Sequence, residues 1–315
     1  MTDLGDLASD FIVVNVALRM SVNEKLELDI WKGDWGLPSI DVTCLQILAY
    51  SKFSKASLKI NTTCNPFRSK NGNLPVLRTN HIAFNDVQSM KEFLKSKNYN
   101  PDSILSLKQC ANVVAYESML FEKLYPALQY IWWVDQQNIN ELVKPWYSEA
   151  VPFPFNFYYP GKFERQAKAM LESLYPMEDD NIVLENKIYA EAQKCITLLS
   201  VRLGEDDFFF GSLPTSLDAI VFSYLAPLLK APLPHAALQN HLKACTNLVK
   251  FVSRISQRYF EYEYQVYEKK TAENIKKLRR NSENEYPNKR RNQILAGIFA
   301  GFAMLVYAFS NGMGK

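Results

Sequence analysis

Leu26, Leu28 and Ile30 alternate with charged residues and run into Trp31, the period of two that marks a half-buried strand. Lys32 to Pro38, rich in glycine and aromatic residues, reads as a turn. From Ser39, with Asp41 in the first turn, Val42 to Tyr50 carries apolar residues at helical spacing, and Leu58 to Ile60 offers a second short strand. Strand, helix and strand in that order predict a parallel unit. After a turn at Asn71, Gly72 and Asn73, Leu74 to Leu77 reads as a third strand with Pro75 at its start. A hairpin partner is expected near Ala83 and a helix from Asp86 to Ser96.

From Ser103 onward the strand signal stops. Ile104, Leu107, Ala111, Val114, Phe121, Leu124, Leu128 and Ile131 recur at three, four or seven, which predicts one buried helical stripe. Leu184, Ile188, Ala192, Cys195, Leu199 and Leu203 predict another. Between them Pro145, Pro152, Pro154 and Pro160 interrupt the aromatic segment Trp146 to Phe163, which includes Phe153, Phe155, Phe157, Tyr158 and Tyr159. Prolines at this density exclude a regular helix, so the segment is expected as a loop tucked under the helices rather than an exposed aromatic patch for a partner. In Gly211-Ser212-Leu213-Pro214-Thr215-Ser216-Leu217-Asp218, Thr215 is placed to cap a helix from Ser216. Asp218 is placed to reach back to the Thr215 amide.

The last stretch differs from everything before it. Lys289, Arg290 and Arg291 precede an uncharged run from Ile294 to Phe309, and only Lys315 carries charge beyond it. At about 1.5 Å per residue, that run extended to Met313 gives about 30 Å, the hydrocarbon thickness of a bilayer. The expectation is a C-terminal transmembrane helix over 294–313, inserted after synthesis. Ile294, Leu295, Gly297, Ile298, Phe299, Gly301, Phe302, Leu305, Val306 and Phe309 would form the anchor, and Lys289, Arg290 and Arg291 a basic flank on the cytosolic side. A buried C-terminal helix is the competing reading. Gly297 and Gly301 form a Gly-x-x-x-Gly pair suited to close helix approach. A short span suits a thin bilayer, leaving the mitochondrial outer membrane and the endoplasmic reticulum open. The first 24 residues hold Asp3, Asp6, Asp10, Glu24 and one arginine, Arg19, so they resemble neither an export signal nor a matrix presequence. Met20 stands as a candidate start of a shorter form.

Composition narrows the chemistry. At 315 residues with 48% apolar and 22% charged content, the chain has room for two small domains. Its formal charge is +3, but nine of the 36 basic and five of the 33 acidic residues lie between Tyr262 and Arg291, leaving 27 against 28 elsewhere. The basicity therefore belongs to a linker beside the expected anchor, where anionic head groups would meet it, and no case for nucleic-acid binding remains. Cys44, Cys64, Cys110, Cys195 and Cys245 form no Cys-x-x-Cys pair, against both a zinc site and a disulfide framework. His235 and His241 are six apart and share no helix face, so no metal site is expected.

An N-terminal βαβ–ββα half with proline opening its third strand, followed by an all-helical half with a Gly-x-x-x-Thr-x-x-Asp box, resembles the glutathione transferase fold. The resemblance implies a cis Leu74-Pro75 bond. Ile30 to Ser39, Trp146 to Pro154, Phe208-Phe209-Phe210-Gly211 and Arg290 to Leu295 look more specifically like the metaxin family, in the branch holding metaxins one and three. The fold class expected is α+β: a thioredoxin-like N-terminal domain, an all-α C-terminal domain and a C-terminal transmembrane helix. The expected division is an extension over 1–25, the thioredoxin-like domain over 26–98, the helical domain over 101–260, a charged linker over 261–293 and the anchor over 294–313. Resemblance to metaxins implies an adaptor on the cytosolic face of the mitochondrial outer membrane, in contact with its lipid. Its implied partners are a second metaxin-like subunit and the β-barrel insertase of the sorting and assembly machinery.

A working transferase of this fold needs a hydroxyl or thiol after its first strand and an acid–serine pair at the helix after its fourth. Here the candidates are Ser39, behind Pro38, and Asn85, Asp86 and Ser89, where Asp86 also reads as a helix cap. No catalytic residue, cofactor or metal is expected. Pro75, Thr215 and Asp218 are expected in structural roles, and Trp31, Trp35, Trp146, Phe153 and Phe155 as an interaction set. Trp31 and Trp35 would fill the space glutathione would take, or belong to the core. The alternative function is a tail-anchored glutathione-dependent transferase or peroxidase.

Overall fold

The computed structural model describes residues 25–63, 73–176, 181–284, 293–296, 298–300 and 304. The chain divides into two compact units, Met1–Tyr264 and Gln265–Lys315.

The first unit opens with a mixed sheet. Strands β1 (Glu27–Ile30), β2 (Lys59–Thr62), β3 (Val76–Arg78) and β4 (Ala83–Phe84) lie in the order β2-β1-β3-β4, with β1 parallel to β2 and antiparallel to β3. Leu28 and Ile30 are fully buried at the centre of this sheet. Asp29 is nearly buried too and is satisfied across it, accepting from Arg78 Nε at 2.8 Å and from Asn61 Nδ2 at 3.1 Å. Helix α1 (Val42–Phe53) joins β1 to β2 and is capped by Asp41, whose Oδ1 accepts from the Cys44 amide at 2.8 Å. Helix α2 (Val87–Ser96) follows β4 and is capped by Asp86.

The helical half then runs through α3 (Leu107–Met119), α4 (Tyr125–Trp133), the short α5 (Gln136–Asn138), α6 (Lys144–Ala150), α7 (Phe155–Leu174), α8 (Asn181–Leu203), α9 (Ser216–Lys230), α10 (Ala237–Ala244) and α11 (Thr246–Tyr259). Helix α9 is buried along most of its length and lies along α1, so the two halves share one core. Helix α12 (Glu261–Asn284) starts in the first unit and ends in the second.

Three expectations are corrected. The predicted stripe from Ile104 to Ile131 is only half buried: Ile104, Leu107, Val114 and Phe121 are exposed, whereas Leu124, Leu128 and Ile131 are buried. A π-helical turn at Leu120–Leu124, followed by Pro126, adds backbone to the helix and rotates its inward face, so Val113 and Leu120 are buried instead. The proline-rich aromatic segment is helical on both sides of a break at 151–154 that holds Pro152 and Pro154, and Pro145 enters α6 directly after a π-helical turn at Ile139–Val143. Pro160 lies within α7 and removes one bond near its start. Tyr147 and Tyr159 in this segment are buried, but Phe153, Phe157 and Tyr158 are exposed.

The third correction concerns membrane insertion. Among the described residues no helix is long and apolar enough to cross a membrane, which conflicts with the expected C-terminal transmembrane helix over 294–313. Of its positions, Ile294, Leu295, Ile298 and Phe299 are helical and exposed. The long helix preceding them, α12, is charged along its length. Lys289, Arg290, Arg291, Gly297, Gly301, Phe302, Leu305, Val306 and Phe309 lie outside the described residues.

Candidate functional site

The turn after β1 brings the two halves together. Gly33 is required there, because a Cβ would stand 2.0 Å from the Leu37 carbonyl oxygen. The turn closes with the Leu37 amide donating to the Asp34 carbonyl at 2.9 Å, and Trp35 adopts a φ of 53°. Asp34 then works in both directions. Its Oδ1 accepts from the Trp35 amide at 2.7 Å, and its Oδ2 accepts from Trp146 Nε1 on α6 at 2.9 Å.

Around this turn the indole and phenyl rings form a continuous wall. Trp31 is 3% exposed and packs edge-on against Tyr147, Tyr159 and Phe163, with centroids 5.9, 5.6 and 6.2 Å away. Trp35 stacks on Trp132 at 5.9 Å and leans on Trp146 at 6.4 Å. Trp133 closes the group against Tyr147 and Phe163. Beside the wall lies a cleft of about 610 Å³, lined on the apolar side by Trp31, Leu74, Pro75, Trp133, Tyr147 and Phe163 and on the polar side by Asp41, Thr43, Asn73, Asn85, Asp86, Gln129 and Gln166. The Leu74-Pro75 bond is cis.

The groups that could activate a thiol here are otherwise engaged. Ser39 is fully buried, and its Oγ accepts from the Asp41 amide at 3.3 Å. Cys44 is also fully buried, and desolvation, reinforced by the Asp41 charge, pushes its thiol well above the ordinary range. Burial raises the Tyr147 phenol in the same way, with the Asp41 charge adding to it. Both groups therefore stay protonated at neutral pH. Asp86 accepts from the Ser89 amide at 2.8 Å and from Ser89 Oγ at 3.1 Å, which commits the acid–serine pair to capping α2. The buried Oδ1 of Asn85 has no hydrogen-bond partner.

The start of α9 forms a second polar knot under the helical half. Asp218, fully buried, accepts from the Phe209 amide at 2.9 Å through Oδ1, and from the Thr215 amide and Thr215 Oγ1, both at 2.7 Å, through Oδ2. Asp102, from the connection between the halves, accepts from the Ser216 amide at 2.8 Å and from Ser216 Oγ at 2.6 Å.

Of the residues singled out in the sequence, Trp31, Trp35 and Trp146 meet at the turn and Pro75 lines the cleft, whereas Thr215 and Asp218 sit at the α9 knot. Phe153, 78% exposed, and the half-buried Phe155 are not among the residues lining the cleft. Sequence reasoning missed Trp132, Trp133, Asp34 and Asp102. The pair Trp132-Trp133, continuing the spacing of Leu128 and Ile131, was the available signal for the first two.

A four-stranded mixed sheet with a cis-proline third strand, sharing one core with a helical half, defines a protein of the glutathione transferase-like fold. The chain superposes on the crystal structure of the beta-etherase LigF from a Sphingobium strain with a TM-score of 0.51 at 14% identity, over 78% of this chain and 99% of that one. Residues 192–255 match the family described as the glutathione S-transferase C-terminal domain, and residues 44–164 match Tom37, described as an outer mitochondrial membrane transport complex protein. The chain is 42% identical to metaxin-1 of Macaca fascicularis over 91% of its own length and 90% of that protein's. It is 41% identical to metaxin-3 of Danio rerio over 75% of this chain and 76% of that one, and 34% identical to the metaxin-1 homolog of Drosophila melanogaster over 91% and 89%. The chain belongs to the metaxin family.

Proposed function

We propose that this chain acts without catalysis as a subunit of a transport complex of the mitochondrial outer membrane, in the sorting and assembly machinery that inserts β-barrel proteins. Its partners in that role are a second metaxin-like subunit and the β-barrel insertase, and its folded body faces the cytosol. The transport role rests on the metaxin relatives and on the Tom37 match over residues 44–164. The observation that carries the non-catalytic part is the turn after β1. Where a transferase of this fold would present a thiol-activating group, this chain has buried Trp31 wedged among three aromatic rings. A cytosolic, reducing setting fits Cys44, Cys110, Cys195 and Cys245, all of which are free thiols.

The second reading is a glutathione-dependent transferase or peroxidase, favoured by the cleft itself and by the unpartnered Asn85 Oδ1 on its polar side. Calorimetry separates the two. Titrating the full chain with glutathione to millimolar concentration is expected to give no saturable heat, and a dissociation constant in the micromolar range would overturn the non-catalytic reading.

A further inference from the structure

Three segments distant in sequence converge on a second polar centre, whose residues are not among those lining the cleft. Asp135 caps α5 with Oδ1, which accepts from the Asn138 amide at 2.9 Å, and turns Oδ2 to His235 Nδ1 at 2.5 Å. Glu185, near the start of α8, holds Oε1 at 3.8 Å from the same nitrogen. One ligand atom from each of the three residues falls within a cluster no wider than 4.8 Å.

Each of the three is oriented by a further group. Fully buried Asn138 accepts from the His235 amide at 2.8 Å and donates Nδ2 to its carbonyl at 3.3 Å, clamping that backbone in place. The Tyr130 hydroxyl donates to Glu185 Oε2 at 3.1 Å, leaving Oε1 free to face the imidazole. Such outer contacts are what fix the orientation of metal-binding histidines and carboxylates.

An independent observation comes from Tyr189, one helical turn beyond Glu185. It is 7% exposed, its ring lies 6.1 Å from that of His235, and its buried hydroxyl has no hydrogen-bond partner. Burial raises its phenol far above the ordinary value, and the charges of Glu185 and then Asp135 raise it further, so the orphan hydroxyl stands in the field of both carboxylates. A buried polar atom left unpaired in this way calls for a water or an ion.

We propose that Asp135, Glu185 and His235 form a binding site for a divalent transition-metal ion of the zinc class. Two carboxylates and one imidazole leave a net negative charge even when the imidazole is protonated, and a divalent cation neutralises it. The mixed oxygen and nitrogen donor set suits zinc and its neighbours rather than calcium or magnesium. Bond lengths of about 2.1 Å in a tetrahedral site put ligand atoms about 3.4 Å apart. The Glu185–His235 separation is close to that value, and the Asp135–His235 pair has to open by about 1 Å as the proton it shares is displaced. Three protein ligands leave one position for water, and the Glu185 and His235 side chains, 26% and 35% exposed, give solvent access to the centre. The ion would tie the α5 turn, the start of α8 and the segment before α10 to one another.

The test uses the full chain, stripped with a chelator and titrated with Zn2+ by calorimetry. One equivalent is expected to bind with micromolar or tighter affinity and to raise the melting temperature. His235→Gln and Glu185→Gln, each first checked for a cooperative melt without metal, are expected to weaken binding at least tenfold. His241→Gln, whose imidazole faces Thr197 Oγ1, and Cys245→Ser are expected to leave it unchanged. Absence of binding to the unsubstituted chain overturns the proposal whatever the variants do. So does binding that survives either ligand substitution, or that falls with either control.

Discussion

Replacing Trp31 by alanine is expected to destabilise the folded body by about 3–5 kcal/mol, the range for removing a buried tryptophan or phenylalanine. Trp31 is 3% exposed and touches three rings, Tyr147, Tyr159 and Phe163, all supplied by the helical half. Edge-on aromatic pairs add about 0.5–1.5 kcal/mol each beyond the area they bury, and Trp133 packs on Tyr147 and Phe163 as well. The substitution removes the ring contacts of the residue that follows β1 with α6 and α7, leaving the Asp34–Trp146 hydrogen bond in place. Urea unfolding would show it as a lower midpoint with an unchanged slope. Phe153→Ala, at a residue 78% exposed, is the matched control and should shift stability by less than about 0.5 kcal/mol. A Trp31→Ala loss below about 1 kcal/mol would mean that the aromatic wall does not hold the halves together.

Asp218→Ala is expected to cost about 3 kcal/mol or more, since it strands the Phe209 amide, the Thr215 amide and the Thr215 hydroxyl in a buried setting at about 1–3 kcal/mol for each unpaired group. A pH signature accompanies it. Burial raises the Asp218 carboxyl from its usual 3.8 to about 6, against the pull of the Phe209 and Thr215 donors. The folded chain therefore holds more protons than the unfolded chain between about pH 4 and pH 6, so the contribution of this residue falls as pH rises through that window and is level above it. Thermal melts of the unsubstituted chain and of Asp218→Asn across pH 4 to 7 isolate the slope, which the amide variant should lack. Equal slopes in the two would show that Asp218 is ionised throughout.

What could be read from the sequence was local. The alternation before Trp31 marked β1, and Asp86 marked the start of α2, because cap, strand period and helix period all act within a few residues; α1 starts after Asp41, its cap, and not from Ser39. Misreadings arose where one local change broke the phase that a spacing rule takes as constant. A single π-helical turn at Leu120–Leu124 turned half of the expected stripe to solvent. Proline count proved a poorer guide than proline position, since Pro145 enters α6 directly after a π-helical turn. The apolar run near the C-terminus suggested a span by length and hydropathy alone, and the described helices provide none.

The site was less legible than the fold, for a geometric reason. Asp34 and Trp146 are 112 positions apart, Asp102 and Ser216 are 114 apart, and Asp135 and His235 are 100 apart. No spacing rule connects residues at such distances. Glu185 and Tyr189, one helical turn apart, and Asp135 with Asn138, three positions on, were local traces of the polar centre, and such pairs are common on helices of every kind.

A subunit of an outer-membrane transport complex should not be recovered alone when the full chain is isolated from mitochondria in mild detergent. A stable assembly is expected, containing an integral β-barrel protein of the outer membrane and a second metaxin-family subunit. Recovery of the chain by itself, with neither component at stoichiometric level, would rule out the transport-complex role.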